Sequence, residues 1–262
     1  MPIEPRPPEP RPSESRGPEP LGQRPTGQRP ALAGVVFDMD GTLVDSEPLY
    51  AESDREFLAS FGIFLEEAEM ARYVGIGTRD FFRELEAAHP ASPLHALPLE
   101  ERIRLKDEAF LMRAGSRLAA FPGPLALARE LSRRGVPLAL ASGSSPAVIE
   151  AAIGAIGAIG LFAALVSASE LPKGKPDPAV FLEAARRLGL EAEACAAIED
   201  SLPGLVAART ARMRCVALPS PGTEEGAFRD ADLVVRGGAA ALDPVAALEL
   251  FESWGLSARA RS

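Results

Sequence analysis

From Gly34 onward, short apolar runs alternate with stretches of helical length, and that rhythm constrains the fold more than any other feature. The runs lie at 34–38, 136–141, 164–168, 195–199, 214–218 and 232–235, and helical patterns lie at 123–134, 146–157, 178–188, 202–212 and 243–253. Strands alternating with helices of this length predict βαβ units. The expected fold class is therefore α/β, a three-layer, doubly wound parallel sheet covered by helices on both faces. The rhythm breaks once, after the first strand. Residues 47–117 carry helical patterns and no convincing strand, with Pro48 suited to a first helical turn after Ser46 and Leu49, Phe57, Leu58 and Phe61 at helical spacing. A helical unit inserted after strand one is expected there, with 31–46 and 118–255 forming the α/β core.

The chain has 262 residues, 47% apolar and 25% charged, enough for a full core and an insertion. Its net charge of -9 argues against a nucleic-acid or anionic-membrane partner, since both require a basic surface. Residues 151–169 are uncharged, but their alanines and Gly154, Gly157 and Gly160 make them only weakly apolar. A helix ending near Gly157 and a strand at 164–168 account for them better than a membrane span. Residues 1–30 are rich in proline, mix Glu with Arg, and are expected to form a disordered tail; they lack the apolar centre of a secretory signal. Cys195 and Cys215 sit in apolar stretches with no CxxC spacing, which fits reduced core thiols in a cytoplasmic protein. His89 and His95 lie in a proline-rich connection with no cluster of metal-ligating residues around them. They are expected to face solvent, and they leave little scope for a zinc hydrolase or a histidine-based triad.

In an open parallel sheet, sites form at the carboxyl ends of the strands. Strand one delivers Asp38, Asp40, Gly41 and Thr42 there; strand two delivers Ser142, Gly143 and Ser144. Lys173 and Lys175 follow strand three, and strand four ends in Glu199, Asp200 and Ser201. Each group has an ordinary reading by itself: Asp-Gly makes turns, and serines before a helix cap it. Together they crowd acids, a hydroxyl and a lysine at one edge, where like charge is costly unless a cation is held between them. That combination suits phosphoryl transfer. Mg²⁺ prefers a few carboxylates plus phosphate and water, while hydroxyl, backbone N–H and ammonium groups hold phosphoryl oxygens. One carboxylate can attack phosphorus, and a second can act as acid and base. A nucleotide-dependent kinase is disfavoured because no G-x-x-x-x-G-K-[ST] occurs.

DMDGT at 38–42, Ser142 after an apolar strand, Lys175 in KGKPDP and IEDS at 198–201 resemble, in order, the four motifs of the haloacid dehalogenase superfamily. VDSEPLY after the first motif and EDSLPGLVAA around the fourth are similar to its β-phosphoglucomutase-like phosphatase branch. The resemblance covers residues 32–240. It implies a Rossmann-like core with a helical cap, and a Mg²⁺-dependent phosphatase acting through an aspartyl-phosphate. By position, Asp38 would be the nucleophile and Asp40 the acid/base. Thr42, Ser142, Gly143 and Lys175 would bind the phosphoryl group, with Lys173 a substitute for Lys175. Mg²⁺ would lie among Asp38, the Asp40 carbonyl, Glu199 and Asp200. The chain departs from the branch at Tyr50, where its phosphomutases carry a histidine, and at Arg212, where a glycine usually ends a helix. The first departure weakens the alternative of a sugar phosphomutase. Tyr50, Gly77 and Arg79 are candidate substrate contacts, beside their readings as a packed tyrosine, a loop glycine and a solvated arginine. The expected partner is a small phosphorylated metabolite, and the expected state is a monomer.

Overall fold

The computed structural model describes residues 29–73 and 76–256. Strand β1 (Gly34–Phe37) leads through a tight turn to β2 (Val44–Asp45) and then to four helices, α1 (Glu47–Ser60), α2 (Glu67–Met70), α3 (Thr78–Ala88) and α4 (Leu99–Ala114). Strand β3 (Ala119–Ala120) returns the chain to α5 (Pro122–Arg133), β4 (Leu138–Ser142), α6 (Pro146–Ala155), β5 (Ala164–Ser167) and α7 (Ala179–Arg187). Then come β6 (Cys195–Glu199), α8 (Leu202–Thr210), β7 (Arg214–Ala217), β8 (Leu233–Val234) and α9 (Pro244–Ser253).

Six strands form one parallel sheet in the order β5-β4-β1-β6-β7-β8. The chain starts at a central strand, winds out to β5, and crosses back to β6 on the other side of β1. That reversal opens a crevice at the carboxyl ends of the central strands. Alternation along each strand splits the core into two layers. Val35, Phe37, Leu138, Leu140 and Ile198 face α5, α6 and α9, whereas Val36, Ala139, Ala141 and Ala197 face α7 and α8. The three-layer expectation therefore holds. No helix among the described residues is long and apolar enough to cross a membrane. Residues 151–169 instead hold the end of α6 and the strand β5.

Helices α1 to α4 build an apolar cluster of their own, in which Phe57, Leu58, Phe81, Phe82, Leu85 and Leu94 are buried together. Two chain segments join this insertion to the sheet, and they pair as an antiparallel ribbon, Val44 with Ala120 and Asp45 with Ala119. Nothing in the sequence announces this ribbon, because two-residue strands are too short to show a period.

Two readings need correction. Arg29 and Pro30, counted with the tail, are anchored: Arg29 Nη1 lies 2.9 Å from the Asp232 carboxylate, and Arg214 Nη2 donates to the Pro30 carbonyl at 2.8 Å. The remainder of the predicted tail, residues 1–28, lies outside the described residues. His89 and His95 are half-buried, and the His95 ring packs with Nε2 3.0 Å from the His89 carbonyl. Ser46 precedes α1 but its side chain does not cap it, since its hydroxyl is used elsewhere. At the departure noted above, Arg212 takes a left-handed conformation at φ 64°, which puts a side chain where the chain turns as a glycine would.

Candidate active site

Sheet register brings the acids together. Phe37 pairs with Ile198, so the next residues, Asp38 and Glu199, emerge side by side at the carboxyl edge. The Asp38 N–H donates to the Ile198 carbonyl at 2.9 Å, which continues the ladder into the site. One carboxylate oxygen from each of Asp38, Glu199 and Asp200 falls within 4.8 Å of the others. All three residues are buried, Glu199 completely. Lys175 reaches in from the loop after β5, its ammonium 2.5 Å from Asp38 Oδ1 and in contact with Glu199. Lys173 stays exposed and lies 3.8 Å from Asp177, so of the two lysines only Lys175 joins the acids.

Two glycines make the crowding possible. Gly41 adopts φ 76°, and a Cβ there would overlap the Asp200 carboxylate; a Cβ at Gly204 would overlap that of Glu199. Gly204 lies in the first turn of α8, so Glu199 is seated against the amino end of that helix. One of its oxygens accepts from the Ser201 N–H at 2.7 Å and from the Ser201 hydroxyl at 2.9 Å. Ser201 also caps α8, and Ser145 caps α6, so the ordinary reading of those serines holds alongside the site. Asp200 accepts from the Ser220 hydroxyl.

Charge here is only partly balanced. Burial, and then the Glu199 and Asp40 charges, push the Asp38 carboxyl up to about 8 against the pull of Lys175. Burial and the Glu199 and Asp38 charges likewise raise Asp200 well above the carboxylate range. Burial would push Lys175 down, but Asp38 and Glu199 outweigh it and hold the ammonium protonated. Three hard carboxylate donors facing a single ammonium are a fitting seat for a divalent cation.

Asp40, two residues on, leaves this group. Its Oδ1 accepts from the Ser46 hydroxyl at 2.7 Å; its Oδ2 accepts from Ser142 at 3.1 Å and from Ser144 at 2.8 Å. In the sequence Ser46 reads only as a residue before a helix, and Ser144 only as one of the edge residues, neither with a role at Asp40. Their signal was faint, since each doubles as the kind of serine that precedes a helix.

Above the acids lies a cavity of about 1440 Å³ between the sheet edge and the insertion. Asp38, Asp40, Gly143, Lys175, Glu199 and Asp200 line it from the core, and Tyr50, Gly77, Arg79 and Lys106 line it from the helices. Two expected phosphate contacts are set back from it. Thr42 is fully buried with its hydroxyl unpartnered, because the turn that folds residues 42–44 onto the Met39 carbonyl carries its side chain inward. Ser142 is fully buried too, its hydroxyl engaged with Asp40 and with the Ser144 N–H at 3.0 Å. Tyr50 is both packed and at the cavity wall, stacked on Phe110 with ring centroids 4.1 Å apart. Arg79 is exposed, 3.4 Å from the Ser169 carbonyl. Val74 and Gly75 of the loop before it lie outside the described residues.

Known proteins carry the same frame. Hexitol phosphatase B of Escherichia coli is 30% identical over 191 residues, covering 72% of this chain and 85% of its own. A bifunctional riboflavin kinase/FMN phosphatase of Arabidopsis thaliana is 32% identical over 203 residues, 77% of this chain, which spans only about half of that longer protein (52%). The crystal structure of CbbY from Rhodobacter sphaeroides in complex with phosphate superposes with a TM-score of 0.70 at 29% identity, over 80% of this chain and 95% of that one. Residues 32–212 match the family described as haloacid dehalogenase-like hydrolase. That span holds the sheet's central strands, the helical insertion and Asp38, Asp40, Glu199 and Asp200. With the ordered motifs and the doubly wound sheet on the same residues, the chain belongs to the haloacid dehalogenase-like hydrolases.

Proposed function

We propose that the protein is a divalent-metal-dependent phosphatase of a small phosphorylated metabolite, working through phosphorylated Asp38. The observation that carries this reading is the pairing of two unlike aspartates on one strand end. Asp38 lies among acids with Lys175 at 2.5 Å, and Asp40 lies outside them in a cradle of hydroxyls. The named activities of the phosphatase relatives support it.

Asp38, Glu199 and Asp200, with the Asp40 carbonyl, would hold the metal, and Mg²⁺ suits an all-oxygen set. The ion supplies charge neutralisation at the phosphoryl oxygens. The chain's own residues do the rest. Lys175 and the backbone at Gly143 hold the phosphoryl group. A carboxylate oxygen of Asp38 bonds to phosphorus as the bond to the leaving oxygen breaks, and Asp40, protonated at that moment, gives its proton to the leaving alkoxide. Water then attacks phosphorus, its proton passes to Asp40, and the bond to Asp38 breaks to release inorganic phosphate. Residues 47–117 act as a cap that excludes bulk water from this exchange and carries the substrate contacts, with Tyr50, Gly77 and Arg79 at its inner face.

The test is a panel of phosphorylated metabolites, including hexitol phosphates, sugar phosphates and FMN, assayed for phosphate release with Mg²⁺. Release from at least one, lost on chelation, is expected; no release from any member would overturn the reading. A phosphomutase would instead convert glucose 1-phosphate to glucose 6-phosphate faster than it releases phosphate. Tyr50, in place of a hinge histidine, argues against that outcome.

A further inference from the structure

The Asp40 cradle continues beyond the core, and its hydrogens run in one direction. Ser144 donates its single hydroxyl hydrogen to Asp40 Oδ2 at 2.8 Å. The Tyr50 hydroxyl lies 2.9 Å from the same Ser144 oxygen. With that oxygen's hydrogen already committed, Tyr50 must be the donor. The chain is therefore Tyr50 to Ser144 to Asp40. Burial, followed by the Asp40 charge, pushes the Tyr50 phenol well above its ordinary range, so the donor keeps its proton.

Tyr50 belongs to the insertion, yet it bonds to the core. It stands in the first turn of α1, just past the two-stranded ribbon, and its ring is gripped from α4. Phe110 stacks on it at 4.1 Å and 21°, and the Lys106 ammonium lies 4.8 Å from the ring centroid. Lys106 is itself tied back to Asp54 of α1 at 2.5 Å. A phenol held by the two helices that carry both connections of the insertion must move when the insertion moves. Ser46 ties Asp40 to the same connection at 2.7 Å, from the residue just before α1.

We propose that Tyr50 is a positioning residue: through Ser144 it aims the Asp40 carboxyl, and so ties proton transfer to the placement of the helical insertion. This rests on Asp40 being the acid/base of the reading above. The role belongs to the hydroxyl and not to the ring, which a single substitution separates. Tyr50→Phe keeps the stacking on Phe110 and the Lys106 contact and removes only the donor.

The readout is leaving-group dependence of kcat/KM, which reports the steps up to departure of the leaving group. An alkyl phosphate, chosen as the best substrate in the panel, needs a proton on its departing oxygen; p-nitrophenyl phosphate does not. Tyr50→Phe should lower kcat/KM on the alkyl phosphate about three- to tenfold, the worth of one hydrogen bond. The loss should be carried by kcat and be at least about threefold smaller on p-nitrophenyl phosphate. Ser144→Ala should show the same selectivity, and adding Tyr50→Phe to it should cost little more, because the two act in series. Equal losses on both substrates, a loss carried by KM, or fully additive losses would each overturn the proposal. A wild-type protein that hydrolyses neither substrate would remove the phosphatase reading, and the relay with it.

Discussion

On the sheet side of the cavity, buried charge is left uneven; on the helical side, it is matched. Asp38, Glu199 and Asp200 share the Lys175 ammonium, and burial, with their mutual repulsion, pushes Asp38 and Asp200 up. In the insertion, Lys106 meets Asp54, and buried Arg102 is satisfied by the Leu97 and His95 carbonyls, both at 2.8 Å, and by Glu86 at 3.2 Å. Matched buried charge holds a structure together once it is present. Uneven buried charge costs stability and is explained by a ligand that evens it. The two walls therefore respond differently to the loss of one charged group.

The largest expected effect is at Asp38. Asp38→Asn should lower kcat at least about 10²-fold and abolish the phosphorylated protein, seen by trapping with labelled substrate. Stability should move the other way. A folded-state pKa raised to about 8 means that ionised Asp38 opposes folding. That cost is absent below the unfolded value, grows as pH rises through the window between the two, and is complete above about 8. Metal-free Asp38→Asn should therefore melt above wild type at pH 8 and by less at pH 5. A variant that melts lower at both would break the comparison.

Lys106→Met tests the helical side. It leaves Asp54 buried without its partner and should cost about 3–5 kcal/mol in denaturant unfolding. Adding Asp54→Leu should recover most of that loss, since a hydrophobic pair can replace a matched ionic one. If the single variant is neutral, the pair is not what holds α1 to α4.

Mg²⁺ should act on the sheet side alone. At a concentration about 100 times its dissociation constant it should stabilise the wild type by about 2.7 kcal/mol, and Asp200→Asn by less, with Lys106→Met responding like wild type. An equal Mg²⁺ shift in Asp200→Asn would detach the metal from these acids.

The smallest effect lies far from the site. Removing residues 1–28 should leave the melting temperature nearly unchanged, since few apolar side chains are lost. Removing 1–30 should cost about 1–3 kcal/mol, because buried Arg214 then loses its bond to the Pro30 carbonyl.

Sequence periodicity was enough for the sheet, because a strand buried on both faces must be apolar throughout and a covering helix must repeat its apolar face. Every expected strand and core helix is present, with ends shifted by a few residues. The acids and Lys175 were legible for a related reason. They follow strands directly, so a parallel sheet carries them to one edge whatever the loops do. Tertiary structure alone decided the rest. Thr42 and Ser142 sit in the expected motifs, but a tight turn holds the first, and hydrogen bonds to Asp40 and Ser144 hold the second, behind the cavity wall. The ribbon of β2 and β3 pairs residues some 75 positions apart through two-residue strands that have no period to read. Ser144 lies almost a hundred residues from Ser46 and Tyr50, and no local pattern marks the three as partners. Local sequence determines which backbone forms and where a strand's last residue emerges. Where a hydroxyl finds its acceptor depends on how distant elements pack, and that packing is a property of the whole chain.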